Sequence, residues 1–327
     1  MEIRVKQTNQ KEESNSAYYI GIDIGGTKLA VSLFDINSST IAKREQFATG
    51  SQSDPVIALG NAIETAKVWI EQQNELPCAV GVSVGGMFDI ETGCMKQAPH
   101  LPNWSNFPIV ETIQTELNVP VFAENDANAC ALAEWKYGAG IGTQNLIFLT
   151  FGTGLGGGLI LDGKLYRGIS GLAGEIGAIR VSDDGPAIRN KPGCLEGFAS
   201  GAGIASYAET VRAKNANSIL PLHPSAKDVA QAAFDNDSLA ISIMNQCGTQ
   251  LGKGLAILID LLNPEMIILG SIFTRSESLI RPAMEKAIAE EAMPEAVAAC
   301  KVVPAKLGDS IGDYAAATVA ETNFNPV

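Results

Sequence analysis

The chain has 327 residues, 46% hydrophobic and 18% charged, with a formal net charge of −13. That length accommodates two hydrophobic cores, and the acidic balance argues against nucleic acid as a partner, since binding a phosphate backbone needs a concentrated basic face. No run of about eighteen apolar residues exists to cross a membrane, and residues 1–17 (MEIRVKQTNQKEESNSA) lack the apolar centre of a leader peptide and read as a polar tail, so a cytoplasmic location is expected.

Residues 18–24, 29–35 and 40–48 read as three strands joined by tight turns. In the stretch YYIGIDIGGTKLAVSLFD, Gly21 and Gly26 are spaced as in a P-loop, but Thr27 precedes Lys28. A strand-forming run, 29–34, also follows where a P-loop would open a helix. Ser53-Asp54-Pro55 then starts a helix with proline in its tolerated first position. Val56, Leu59, Ile63, Ala66 and Ile70 make one apolar stripe for packing on a sheet. Residues 78–84 read as a buried strand broken by Gly85-Gly86, 108–117 as a helix, 119–123 as a strand and 127–137 as a helix. Up to the last of these strands the order is βββαβαβ.

A second copy begins near residue 147. With IGIDIGGTKLAVSLFD set above IFLTFGTGLGGGLILD, Ile20 meets Ile147, Gly25 meets Gly152 and Asp35 meets Asp162. Strand, glycine turn, strand and terminal Asp coincide, which predicts an internal duplication. Two such turns, one in each half, can clamp a nucleotide's phosphates from both sides of a cleft, because successive backbone N–H groups form an anion-binding concavity without a helix. Gly152, Gly154 and Gly157 also spell the dinucleotide fingerprint, but that motif needs a helix next. Here 159–166 reads as a strand and an Asp-Gly turn. The six cysteines (78, 94, 130, 194, 247 and 300) form no C-x-x-C pair and mostly have apolar neighbours, so reduced core thiols are expected.

Six stretches in order carry a resemblance: DIGGTK (23–28), AENDANACALAEWKYGAG (123–140), FGTGLGGG (151–158), GLAGEIGA (171–178), GCLEGFASG (193–201) and IILGSI (267–272). The chain resembles the ROK family of sugar kinases and repressors, within the actin/hexokinase-like ATPase superfamily. The resemblance implies an α/β, two-lobed actin-like ATPase (ribonuclease H-like) fold with duplicated βββαβαβα units around a central cleft. One lobe would be 18–124 with about 308–327, the other 125–307, and a last helix at about 311–321 would pack back on the first lobe. The implied activity is ATP- and Mg²⁺-dependent phosphorylation of a hydroxyl on a hexose or hexose derivative. The implied partners are a small-molecule sugar and ATP, without nucleic acid or membrane, in a cytoplasmic homodimer.

Two departures matter. The family typically has histidine after GEIG, where this chain has Ala178, and a Cys-x-Cys shortly before the GC, where no cysteine stands between Ala178 and Gly193. Cys194 alone cannot supply the tetrahedral shell of a structural zinc, so no zinc is expected. The lost histidine also removes one sugar contact and leaves the sugar preference open.

By the resemblance, Asp126 is the general base, while on spacing alone it serves equally well as the cap of the helix behind it. Asn125 would hold sugar hydroxyls. Glu175 and Glu196, in glycine-flanked loops, would each reach neighbouring hydroxyls, with solvation or a helix start as their ordinary roles. Gly86 and Asp89 match a stretch that closes on the sugar, and His100 stands where an asparagine is frequent and reads equally as a surface imidazole. Asp23 is the expected Mg²⁺ partner, through water, with an Asx turn as its plainer role. Gly25, Gly26, Thr27, Lys28, Gly152, Thr153 and Gly154 would meet phosphate, and Gly270 and Ser271 would lie beside the adenine. His223 reads as a turn residue.

Two other readings stand beside the kinase. One is a non-catalytic sugar or nucleotide sensor, suggested by the missing histidine and cysteines. The other is a ROK-type transcriptional regulator lacking its DNA-binding domain. The 22 residues before Asp23 show no helical apolar spacing, which argues against a helix-turn-helix there.

Overall fold

The first apolar run folds as an antiparallel meander of β1 (Tyr18–Ile24), β2 (Lys28–Asp35) and β3 (Thr40–Ala48). The structure is a computed structural model that describes residues 18–48, 54–97, 101–188, 190–215 and 217–324; the polar tail expected over 1–17 lies outside them. β1 and β2 pair in unbroken register from Tyr18↔Asp35 to Ile24↔Leu29 and are buried on both faces. β3 is an edge with mostly exposed polar residues, the usual guard against pairing with another chain.

Helix α1 (Pro55–Gln73) starts where expected: Asp54 caps it by accepting from the Val56 N–H, and Asn74 stops it in the left-handed conformation. Most of the predicted stripe is buried, and the buried face is wider than that stripe. Leu59, Ile63 and Ala66 of that stripe are buried and Ile70 is half-buried, with Pro55, Ala58, Ala62 and Trp69 buried beside them, while Val56 is 62% exposed. The small Ala58 and Ala62 let the helix lie close on the sheet, and a reading weighted to large apolar residues passes over them.

Next come β4 (Val80–Val84), β5 (Met87–Asp89), β6 (Cys94–Gln97), α2 (Ile109–Leu117), β7 (Val121–Asn125) and α3 (Asp126–Tyr137). The β5–β6 hairpin is an addition to the predicted order, too short and polar to leave a periodic signal. β7 also runs two residues beyond the predicted strand. Glu124 and Asn125 have turn-like polarity, but they continue the ladder opposite Ser83 and Val84.

The second half holds β8 (Leu146–Leu149), β9 (Gly157–Leu161), β10 (Lys164–Leu165), β11 (Ala187–Ile188), β12 (Lys191–Pro192), α4 (Leu195–Phe198), α5 (Gly201–Arg212), α6 (Ala226–Phe234) and α7 (Ser238–Leu262). It ends with β13 (Met266–Leu269), α8 (Ile272–Glu291), α9 (Pro294–Ala299), β14 (Lys301–Pro304) and α10 (Ile311–Phe324). The first sheet has the order β3-β2-β1-β4-β7 and the second β10-β9-β8-β13-β14. In each, two antiparallel neighbours are followed by two parallel ones. The same topology therefore occurs twice, as the aligned hairpins predicted, and the glycine turns occupy equivalent places.

The two copies exchange their last helices. α3 leaves the first sheet and packs on β8 and β9, α10 leaves the second and packs on β1 and β4, and the two helices pack on each other. Close approach needs missing side chains: a Cβ at Gly81 would run into Ala316 O and Ala320 N, and one at Gly158 into Ala127 O. On their outer faces, the first sheet is covered around Leu59, Trp104 and Ile113 and the second around Leu251, Leu255 and Met284. The exchange carries the N-termini of α3 and α10 to the strand ends where the glycine turns lie.

Candidate active site

Asn125 and Asp126 divide the work at the head of α3. Asn125 is the cap: its Oδ1 accepts from the Ala127 and Asn128 N–H groups at 3.0 and 3.3 Å, and its Nδ2 donates to Gly86 O at 3.0 Å. Asp126 is thus the first helical residue rather than the cap. Its Oδ1 accepts from Ala127 N at 2.9 Å and Asn125 Nδ2 at 3.1 Å. A Cβ at Gly85 would come within 3.6 Å of Oδ2, so the Gly85 backbone lies beside this oxygen. Burial, and then the charge on Asp23, push the Asp126 pKa up to about 6 against the opposing hydrogen bonds.

Asp23 is the penultimate residue of β1, in register with Ser83. Its pKa is also raised to about 6: burial comes first, the Ser83 hydroxyl opposes it, Asp313 adds to it and Arg44 opposes. Asp313, in the first turn of α10, is 4% exposed and accepts from Arg44 Nε at 2.8 Å. Gly312 leaves room for this carboxylate, since a Cβ there would collide with Asp23. In the first glycine turn Gly25 N donates to Lys28 O at 2.9 Å, and Gly85 N donates to Ile24 O at 3.0 Å. Thr27 and Lys28 are exposed and Gly26 is half-buried. Asp23, Gly25, Gly86, Asn125 and Asp126 are therefore gathered at adjacent ends of β1, β4 and β7.

The second turn is built differently. Gly152 N donates to Gly154 O at 3.0 Å, while Gly152 O and Thr153 O accept from Gly201 N and Ala202 N at 2.8 and 3.1 Å. The turn is thus seated on the start of α5. A Cβ at Gly152 would meet no atom within 4 Å, so open space lies against this backbone, as a phosphate cradle requires. Phe151 and Ser271 both have positive φ, 38° and 46°, and Ile272 N donates to Phe151 O at 3.0 Å. That bond puts Gly270 and Ser271 beside the turn, and Ser271 Oγ accepts from Arg275 Nη2 at 2.8 Å.

Glu196 joins the two features, since its Oε2 accepts from Leu155 N at 2.9 Å and its side chain lies against Gly177. Glu175 is exposed at the head of the 3-10 turn Ile176–Ala178, and Gly174 O, before it, accepts from Gly157 N at 3.0 Å. Asp89 is engaged within its own hairpin: it accepts from the N–H groups of Glu91 and Thr92 and pairs with Lys96 at 3.0 Å. His100 lies outside the described residues. His223 pairs with Glu209 on the surface.

The segment after Ala178 is ordered by its own ladder. Val181 N and Ser182 N donate to Gly193 O, Leu195 N donates to Ile179 O, β11 pairs with β12, and Lys191 Nζ donates to Ala178 O. Among the described residues no group of three or more His, Cys, Asp and Glu side chains is placed to hold a metal directly. A hydrated Mg²⁺ needs less: one carboxylate beside a phosphate turn suffices, because the ion keeps most of its water. Asp23, raised by burial and then by the charge on Asp313, stands beside the first glycine turn and fits that role. Arg44, Ser83, Arg275 and Gly312 had no motif to announce them, since each matters only through a partner far along the chain.

A model of the ROK family matches residues 19–323. The chain is similar to the glucokinase of Halalkalibacterium halodurans, 31% identical over 307 residues that make up 90% of this chain and 92% of that protein. It is similar also to the DNA-binding transcriptional dual regulator NagC of Escherichia coli, 29% identical over 86% of this chain and 70% of the regulator. Among solved structures it superposes on a ROK family glucokinase from Streptomyces griseus in complex with glucose and AMPPNP. The TM-score is 0.74, the identity 30%, and the match covers 93% of this chain and 99% of the other.

Proposed function

The chain belongs to the ROK family, and on that premise we propose that it is a sugar kinase, transferring the γ-phosphoryl group of ATP to a hydroxyl of a hexose or hexose derivative. Glucokinase relatives matching nearly the whole chain support the activity, and the neighbour that holds glucose and AMPPNP supports ATP as the donor.

The observation that carries the mechanism is Asp126 at the head of α3, with a pKa of about 6. Such a group is ionised at neutral pH and basic enough to take a proton. The assignment is that Asp126 accepts the hydroxyl proton as the sugar oxygen forms its bond to phosphorus and the bond to the leaving ADP breaks. Asn125, Glu175 and Glu196 would orient the sugar, with Gly86 and Asp89 closing over it. Thr27, Lys28 and the N–H groups of Gly26, Thr153 and Gly154 would hold the phosphates, with Gly25 and Gly152 closing the two turns by their own backbone bonds and Gly270 and Ser271 beside the adenine. Asp23 would hold Mg²⁺ through water, and the ion would offset phosphate charge. Lobe closure around 18–124 with about 308–327 and 125–307 would exclude water and favour transfer over ATP hydrolysis. The ladder of segment 179–193 supports a fold independent of zinc, and a cytoplasmic homodimer remains the family's expectation.

The test is purified protein with ATP, Mg²⁺ and a panel of D-glucose, D-mannose, D-fructose and N-acetyl-D-glucosamine. Sugar-dependent ADP release is expected. The NagC match favours a ROK-type regulator as the second reading, and salt-sensitive DNA binding without ADP release would put a DNA-binding regulator first. Binding of sugar and ATP without ADP release would instead put the sensor first.

A further inference from the structure

Glu124, just before Asn125, is 2% exposed, and no step above uses it. Its Oε1 accepts from Asn125 N and from Asn128 Nδ2, both at 3.0 Å. Its Oε2 accepts from Arg167 Nε at 2.7 Å. A carboxylate this deep is tolerated only when paired and hydrogen-bonded, and its partner comes from the other half of the chain. Arg167 follows β10, and its carbonyl accepts from Ala173 N at 3.1 Å. That bond closes a turn containing Gly168 and Gly171, both at positive φ, and Glu175 follows two residues later. One residue thus grips the strand that leads into the base with its side chain and the loop that leads to Glu175 with its backbone. Asn128 spends its amide on Glu124 while its Oδ1 has no partner among the described residues, so the cluster is arranged around the carboxylate.

We infer that Glu124 and Arg167 are a positioning pair that holds Asp126 in register with the Glu175 loop across the sugar. The inference rests on the sugar-kinase reading. Neither residue touches substrate; the pair acts by keeping the hydroxyl and its base aligned, where a small misplacement costs rate rather than binding.

The experiment compares wild type, Arg167→Met, Arg167→Lys and Glu124→Gln in steady state with ATP, Mg²⁺ and whichever of the four panel sugars the wild type turns over fastest. Arg167→Met is expected to lower kcat at least tenfold with KM for ATP within threefold of wild type, and Arg167→Lys to fall between. Glu124→Gln, which keeps the side chain's shape, is expected to lose a similar amount and carries the test if Arg167→Met does not fold. A kcat within threefold of wild type in the folded variants overturns the inference, as does an equal rise in KM for both substrates. A wild type that turns over none of the four sugars removes the kinase reading and this inference with it. An active wild type with unaffected variants removes the inference alone.

Discussion

Asp23 at the end of β1 and Asp126 at the head of α3 lie close enough for the charge on Asp23 to add to burial in raising the Asp126 pKa to about 6. The chain places two carboxylates where neither is comfortable when ionised. A fold selected for stability alone would not keep such a pair, and removing one of them should separate stability from activity.

Replacing Asp126 by Asn is expected to lower kcat by about 10²- to 10⁴-fold, the usual contribution of a general base. Sugar affinity measured by calorimetry should stay within a few-fold, since the amide keeps the hydrogen bonds. Normal turnover in this variant would remove the assignment.

The same variant should be more stable. With its ordinary value at 3.8 and its folded value about 6, the carboxyl ionises first in the unfolded chain as pH rises. Stability is therefore expected to fall between about pH 4 and pH 6 and to level off above. Asp126→Asn should reduce that slope and gain roughly 1–2 kcal/mol at pH 7.5, after discounting for partial exposure. Denaturant midpoints across this pH range check it.

The rate should follow the opposite trend. Below about pH 6, kcat/KM is expected to drop tenfold per pH unit as Asp126 takes up its proton. Asp23→Asn removes the neighbouring negative charge, so its residual activity should show an acid limb at lower pH. A limb that stays in place would mean that Asp23 does not act on the base.

Two glycine-to-alanine changes should have contrasting effects. At Gly152 the new methyl meets no protein atom within 4 Å, so the melting temperature should hold while KM for ATP rises about tenfold or more, because the methyl fills space assigned to phosphate. At Gly81 the methyl runs into Ala316 and Ala320 of α10, and the expected loss is about 1–3 kcal/mol of stability, as in other overpacked sites.

The 179–193 segment should not need metal. Dialysis against EDTA is expected to leave the melting temperature unchanged, and elemental analysis to find far less than one zinc per chain. Stoichiometric zinc would reverse this. Lys191→Met, which removes the donor to Ala178 O, should cost about 1 kcal/mol.

Much of the site was legible because its chemistry depends on local runs. DIGGTK and FGTGLGGG announce turns between strands, and Asn125-Asp126 announces a helix start. The split between cap and base was not legible, since both residue types suit both positions; it follows from β7 continuing through Asn125. Glu196 bonded to Leu155, and Asp313 bonded to Arg44, are separated too widely for any local pattern to reveal. The full width of the buried face of α1 escaped for another reason: it includes the small Ala58 and Ala62, which let the helix approach.

By itself the sequence determined the repeating order of strands and turns and the identity of the groups available for chemistry, because periodicity, glycine and capping preference act over a few residues. Only the tertiary structure decided that α3 and α10 cross to the opposite sheets. The parallel ladder of β1, β4 and β7 brings Asp126 beside Asp23, and the exchange packs Gly312 against the Asp23 carboxylate, since which charges share a buried space depends on how distant strands and helices pack.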